Sequence, residues 1–268
     1  MSAAATIAAG PSSALAYGAA GVALLMLVLW AISIRIRDVS IVDPAWGPAF
    51  VIVALAGALA GDGCLGRRWL VFGMTALWGL RLGAYLTSRK LGDADEDKRY
   101  AAMRERKGDA FIPWSLWSIF GTEGLLVLIV SLPISVAAGR PDGLTAAIIP
   151  GIVVWAVGLG FETIGDEQLR RFKAHLANTG KVMDRGLWRY TRHPNYFGDF
   201  CVWWGIWLVG APASGTWWTF LGPLVMTILL TRVSGKALLE RDMAKRRPEY
   251  ADYIERTSGF FPRPPKRG

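Results

Sequence analysis

The chain has 268 residues, 53% of them hydrophobic, with 13 Trp and a formal net charge of +9. Apolar runs near the ~20 residues needed to cross ~30 Å of hydrocarbon recur along it, and this excludes a soluble domain, whose helices would be amphipathic. With 2 Cys and 2 His the chain offers no disulfide framework and no readable metal site, and it carries no Rossmann or Walker glycine loop.

An all-α polytopic membrane protein is therefore expected. Seven spans are predicted, at about residues 14–34, 42–61, 66–86, 112–136, 144–164, 197–211 and 214–233. The first reads as a span rather than a cleaved leader: no Lys or Arg precedes it, and Arg35 and Arg37 follow. The sixth is short enough to be tilted, re-entrant or buried behind neighbours. With the N-terminus outside, 25 of the 30 Lys and Arg lie on inside loops and 3 on outside loops. That bias predicts a cytoplasmic C-terminus. It makes the net charge a matter of topology, with some attraction to anionic lipid or a polyphosphate cofactor, and it gives a nucleic-acid partner little support. Cys64 falls in an outside loop and Cys201 near the inside end of a helix, so they should not pair.

Polar chemistry concentrates in four patches on the predicted cytoplasmic side. In the first, Arg35 to Gly47, Asp43 precedes Pro44 where span 2 begins. Asp43 is expected to be the N-cap of that helix, a carboxyl at the edge of a low-dielectric pocket, or both. In the second, Arg81 and Tyr85 are i, i+4 on span 3 and share a face. An intramembrane Arg faces the interior or a wet cavity, so Arg81 either pairs with Asp38 or Asp43 or contacts substrate. The charged stretch Asp93 to Asp109, with Tyr100 and Arg104, reads as a solvated cytoplasmic helix.

The third patch runs from Glu162 to Asp199. Glu162 and Asp166, i, i+4, repel each other and need donors, which ribose hydroxyls, an adenine amino group or nearby Arg can supply. Lys173, Lys181, Arg189 and Arg192 can neutralise phosphates. Arg192-His193-Pro194-Asn195 then stands at the mouth of the apolar run Phe200 to Val209. Such a polar, helix-breaking sequence is costly there unless it lines a cavity or binds something. A plain cationic anchor would need neither His-Pro-Asn nor Asp199. The fourth patch, Arg232, Lys236 and Glu240, steps by four along one helix face and leads to Tyr250, Tyr253 and Phe261-Pro262.

Phe161-Glu162, Gly165-Asp166, Gln168-Leu169 and the run Gly186-Leu187-Trp188-Arg189-Tyr190 through Arg192-His193-Pro194-Asn195-Tyr196-Phe197-Gly198-Asp199 resemble the C-terminal half of steroid 5-alpha-reductases and their bacterial relatives. Asp43-Pro44-Ala45-Trp46-Gly47 resembles the bacterial branch. The Arg-His-Pro-Asn-Tyr motif is shared more loosely with sterol C-14 and C-7 reductases and with isoprenylcysteine carboxyl methyltransferases. The resemblance implies one integral membrane domain, expected in a bacterial inner membrane, with residues 1–136 on the substrate side and 144–262 holding the cofactor. It implies NADPH as cofactor. Asn195 and Asp199 would lie near the nicotinamide and its ribose, Asp166 would match the family's acid on the preceding helix, and Lys173 and Lys181 would stand at its two phosphate-side arginines. Glu162, Tyr190, Arg192, His193, Arg232, Lys236 and Glu240 complete the expected cofactor set. The family's Arg, His and Tyr on the last helix fall on Arg232, Lys236 and Glu240, where only the arginine is kept. Its span 2 Glu is matched by Asp43; its span 3 Tyr falls near Gly79, leaving Arg81 or Tyr85 as substitutes.

The expected reaction is reduction of a carbon–carbon double bond conjugated to a carbonyl in an apolar, steroid-like or other lipid substrate. Asp43, protonated, or Arg81 would stabilise the charge that develops on the carbonyl oxygen. Two other classes fit the residues. A membrane methyltransferase would use the same loop for S-adenosylmethionine, and a carrier or assembly factor would carry no chemistry.

Overall fold

The computed structural model describes residues 11–92, 95–210, 215–233, 240 and 249–266, and among them the chain is helical with no strand. The helices are α1 (Pro11–Ile36), α2 (Val42–Ala60), α3 (Leu65–Lys90), α4 (Lys98–Val130), α5 (Leu132–Ala137), α6 (Ile149–Ala174), α7 (Pro194–Gly210), α8 (Trp217–Val233) and α9 (Glu249–Arg256). Among the described residues, five helical stretches are long and apolar enough to cross a membrane: Ser12–Ile36, Val39–Ala60, Leu65–Lys90, Lys98–Val130 and Ala146–Ala174. Outward-facing Leu24, Leu27, Val28 and Ile32 of α1 are exposed, as lipid-facing residues would be. The sixth and seventh predicted spans are shorter helices. α7 has 17 residues, which reaches about 25 Å at ~1.5 Å per residue.

Around residue 100 the structure corrects the sequence. The stretch expected to be a separate solvated helix continues without a break into the fourth predicted span, through a 3-10 turn at Gly108–Ala110 and a π-helical segment at Leu116–Gly121. α4 ends at Val130 with Ser131 as the cap, and Pro133 enters the first turn of α5, where its missing N–H leaves no bond unmade.

The described residues fall into two compact units, one within 1–147 and 209–219 and the other within 148–208 and 220–268. In the first unit α2 is central and packs on α1, α3, α4 and α5. Its core joins Val42, Phe50 and Val53 to Trp78, Phe120 and Val127, with the Phe50 and Trp78 ring centres 5.6 Å apart. α2 and α3 cross where Gly47 meets Gly79: a Cβ on Gly79 would lie 2.6 Å from the Gly47 carbonyl oxygen. Small residues let membrane helices approach to backbone contact, which here replaces side-chain packing. Arg67, one of the three cations on the sparsely charged side, is buried and donates to the carbonyls of Val209, Asp142 and Gly143. Its charge is absorbed by the fold.

In the second unit α6 and α7 also meet backbone to backbone. A Cβ on Gly158 would lie 2.5 Å from the Gly198 carbonyl oxygen, and one on Gly198 would lie 2.5 Å from the Glu162 amide. Phe161, Phe197, Phe200, Phe260 and Phe261 pack edge to face around this crossing, a geometry that aligns ring edges with neighbouring faces. Trp204 donates to Thr227 at 3.2 Å and ties α7 to α8. Cys64 and Cys201 are both free thiols.

Candidate functional site

In the second unit, Thr191, Arg192 and His193 are buried, although the segment has no regular helix. The chain after α9 holds them there. The Arg192 amide donates to the Ser258 carbonyl at 2.9 Å, the Arg263 amide to the Tyr190 carbonyl at 2.9 Å, and the Thr191 hydroxyl to the Phe260 carbonyl at 2.8 Å. Tyr253 donates its hydroxyl to the Trp188 carbonyl, and burial pushes its pKa well above the usual phenol range, so it stays a donor. Trp188 in turn donates its indole N–H to the Gly165 carbonyl at 3.0 Å, and the Leu187 amide donates to Gln168 at 2.9 Å. Loop, tail and α6 form one hydrogen-bonded layer.

Arg192 sits at its centre. Nε and Nη2 donate to the two oxygens of Glu240 at 2.8 and 3.1 Å, and Nη1 donates to the carbonyls of Ile254 and Thr257. That uses four of the five N–H groups a guanidinium carries. Arg192, expected to neutralise a phosphate, here gives these bonds to Glu240 and to backbone. His193 contacts the same carboxylate through Nε2 at 3.0 Å and stacks on Tyr196, ring planes 4° apart. Burial raises the pKa of Glu240, but hydrogen bonds from His193 and Arg192 outweigh it and bring the carboxyl down to about 2. Glu240, one of the expected cofactor contacts, here holds Arg192 and His193.

Beside this layer, at the α6–α7 crossing, lie the buried acids Glu162, Asp166 and Asp199. Asn195, in the first turn of α7, donates through Nδ2 to Asp166 at 3.2 Å. The structure therefore joins Asp166 to Asn195, and Glu240 to both Arg192 and His193. Tyr190, Lys173, Lys181, Arg189 and Arg232 are exposed. Lys236 lies outside the described residues, so the four-residue step from Arg232 to Glu240 is not described.

A second polar group lies in the first unit. Asp43 is in the first turn of α2 but is not its cap. The cap position is Ile41, which makes no side-chain cap bond, while Asp38 caps the short turn before it. The Asp43 carboxylate instead accepts from the Tyr100 hydroxyl at 2.8 Å and from Arg99 at 3.4 Å. Tyr100 is buried, so the solvated helix expected there has one inward face. Glu123, further along α4, lies within electrostatic reach of Asp43 and Arg99. In the sequence Tyr100 stood only as part of a solvated helix, and Glu123 was not named. An acid inside an apolar run was the available signal for Glu123; for Tyr100 it was the lone aromatic ring in a charged helix.

Arg81, expected to pair with Asp38 or Asp43, lies 5.9 Å from the centre of the Tyr85 ring, which Arg89 also faces at 5.8 Å. Asp38 is taken by Lys90 at 2.7 Å and by Ser40. Although burial raises its pKa, these bonds hold the Asp38 carboxyl below the usual range. The same corner is clamped by Glu96, which accepts from the Val39 amide at 2.9 Å and from Arg104 through two bonds.

A family model described as "Protein of unknown function (DUF1295)" matches residues 29–257. "Uncharacterized protein C594.04c" of Schizosaccharomyces pombe is 26% identical over 265 residues, covering 88% of this chain and 76% of that protein. No solved structure matches significantly.

Proposed function

This chain belongs to the family described as DUF1295, and we propose that it is an NADPH-dependent membrane reductase. Its proposed substrate is an apolar, steroid-like or other lipid carrying a carbon–carbon double bond conjugated to a carbonyl. One observation carries the reading: Asp166 and Asn195 are hydrogen bonded at a glycine crossing of two apolar helices, with Glu162 and Asp199 buried beside them.

Buried ionisable groups in a membrane protein are expensive and mark functional sites. The donor set fits the cofactor. Each carboxylate can accept several hydrogen bonds, and an amide can both donate and accept, so together they suit ribose hydroxyls and a carboxamide. Exposed Lys173 and Lys181 supply cations for phosphates. The Arg192–Glu240 pair keeps the loop rigid, since its guanidinium is committed to the fold. When bound, reduced nicotinamide supplies a hydride for the β-carbon of the enone.

In this proposal Asp43 retains its expected role of stabilising the substrate oxygen. Charge grows on the carbonyl oxygen as the β-carbon is reduced, and a preorganised donor stabilises it. Asp43 and Tyr100 share a hydrogen bond in a partly buried setting. The pair can offer such an oxygen the Tyr100 hydroxyl, or the Asp43 carboxyl when it carries a proton. Arg81 and Tyr85 on α3 are the other candidates for this part. A proton taken up from water at the α-carbon completes the reduction.

The test is NADPH oxidation by detergent-purified protein supplied with an α,β-unsaturated ketone of steroid type, with the saturated ketone identified by mass spectrometry. Product formed one-for-one with NADPH consumed supports the reading. Methyl transfer from S-adenosylmethionine to an apolar acceptor, with no enone reduction, would replace it with the methyltransferase alternative.

A further inference from the structure

At the end of α1 the first unit contains a cavity of about 430 Å³. Arg37 and Arg104 both line it, together with apolar Val39, Phe111 and Ile112. The proposed reductase site uses none of these residues.

Arg37 adopts φ +56°, among the described residues the only positive value outside glycine. Side chains of L residues rarely adopt it, and glycine usually fills this position after a helix. The local backbone supports the geometry, since the Asp38 amide reaches back to the Ser33 carbonyl at 3.1 Å. An arginine in glycine's place is a strained choice, and strain of this kind collects at binding sites. No ion pair or hydrogen bond of its guanidinium occurs among the described residues, although it follows an exposed Ile36 at the end of a membrane helix.

Arg104 is fixed from the other side. Its Nε and Nη2 are bound by Glu96, and its guanidinium lies 4.3 Å from the centre of the Phe111 ring. Nη1 takes no part in those bonds and remains for another acceptor. Asp109 also borders the cavity and is exposed, and Glu96 already pairs with Arg104, so Arg37 brings a second guanidinium beside one that is held in place. Ile112 lines the cavity and is itself exposed, so cationic and apolar surfaces adjoin.

We propose that this cavity binds the phosphate headgroup of an anionic glycerophospholipid. Arg37 and Arg104 would hold the phosphate, and the first acyl carbons would run along Ile112 and Ile36. Guanidinium groups pair well with phosphate oxygens, and cationic pockets at helix ends on the positive side of a membrane favour anionic lipid. A free phosphate ion shares the headgroup chemistry but not the apolar contact.

The experiment measures thermal unfolding of the full-length protein in uncharged detergent, titrated with phosphatidylglycerol, phosphatidylcholine or inorganic phosphate. Phosphatidylglycerol is expected to raise the unfolding midpoint saturably and phosphatidylcholine is not. Arg37→Gly relieves the backbone, so it should fold at least as well as wild type, yet it should need roughly tenfold or more phosphatidylglycerol for half the effect, given the loss of one charge-assisted contact. Arg37→Lys should retain most of the response. Equal protection of wild type and Arg37→Gly would overturn the site. Protection by inorganic phosphate at the level given by the lipid would overturn the lipid assignment.

Discussion

The Tyr100 hydroxyl donates a 2.8 Å hydrogen bond to the Asp43 carboxylate and joins α4 to the first turn of α2. Asn in place of Asp43 would still accept that bond, and Phe in place of Tyr100 would remove only the hydroxyl. A purely structural pair should tolerate Asp43→Asn with little change in thermal stability. If the pair stabilises charge on the substrate oxygen, both Asp43→Asn and Tyr100→Phe should lower enone reduction by ~10²–10³-fold, the usual effect of losing one such donor. Cofactor affinity should stay unchanged. Full turnover in both variants would remove the pair from the mechanism.

Glu240 ties Arg192 and His193 to one carboxylate, and its pKa lies near 2 against an ordinary 4.5. A depressed carboxyl pKa contributes stability above the unfolded value, and that contribution disappears as pH falls through the folded one. The wild-type unfolding midpoint in detergent should therefore drop between about pH 4.5 and pH 2, and Glu240→Gln should show a shallower fall across that window. Near neutral pH, Glu240→Ala should lower the midpoint sharply, because it leaves the buried Arg192 guanidinium without its carboxylate. Parallel pH curves for wild type and Glu240→Gln would contradict this role.

Gly79 touches the Gly47 backbone, and an added Cβ would press on the Gly47 carbonyl at 2.6 Å. Gly79→Ala should cost ~1–3 kcal/mol, the usual range for overpacking, and be visible as a lower unfolding midpoint. A side chain as large as Tyr has no room at this crossing. Gly73 meets nothing within 4 Å at its own Cβ position and should accept Ala with little effect. Equal stability of the two variants would show that the helices can separate at Gly79 without cost.

The charge bias of 25 against 3 predicts an inside C-terminus. A C-terminal fusion should be active with a cytoplasmic-type reporter and silent with a periplasmic-type one. The opposite pattern would invert the proposed topology.

Membrane helices were legible because an unbroken apolar run of spanning length is stable in hydrocarbon and costly in water, and five such stretches occur among the described residues. The buried acids Glu162 and Asp166 were legible for the same reason, as charges near apolar segments. What sequence did not disclose was partner choice. Arg192 looked like a phosphate ligand because arginine suits phosphate, yet its carboxylate partner lies 48 positions away. Asp43 before Pro44 looked like a cap, but the helix begins one residue before it and frees its carboxylate for Tyr100. The charged first turns of α4 read in sequence as a helix of their own, whereas Tyr100 gives those turns one buried contact. Local rules describe a residue's preferences, and distant partners decide among them.

Cofactor choice is the claim on which the proposed function rests. Equilibrium binding of NADPH and of S-adenosylmethionine to the detergent-purified full-length chain, wild type beside Lys173→Ala/Lys181→Ala, tests it most directly. A reductase should show saturable NADPH binding that weakens with added salt, as screening shortens to ~8 Å at physiological ionic strength. The double variant should show a severalfold or larger rise in the NADPH dissociation constant, and neither protein should bind S-adenosylmethionine saturably. Saturable S-adenosylmethionine binding with none for NADPH would contradict the assignment.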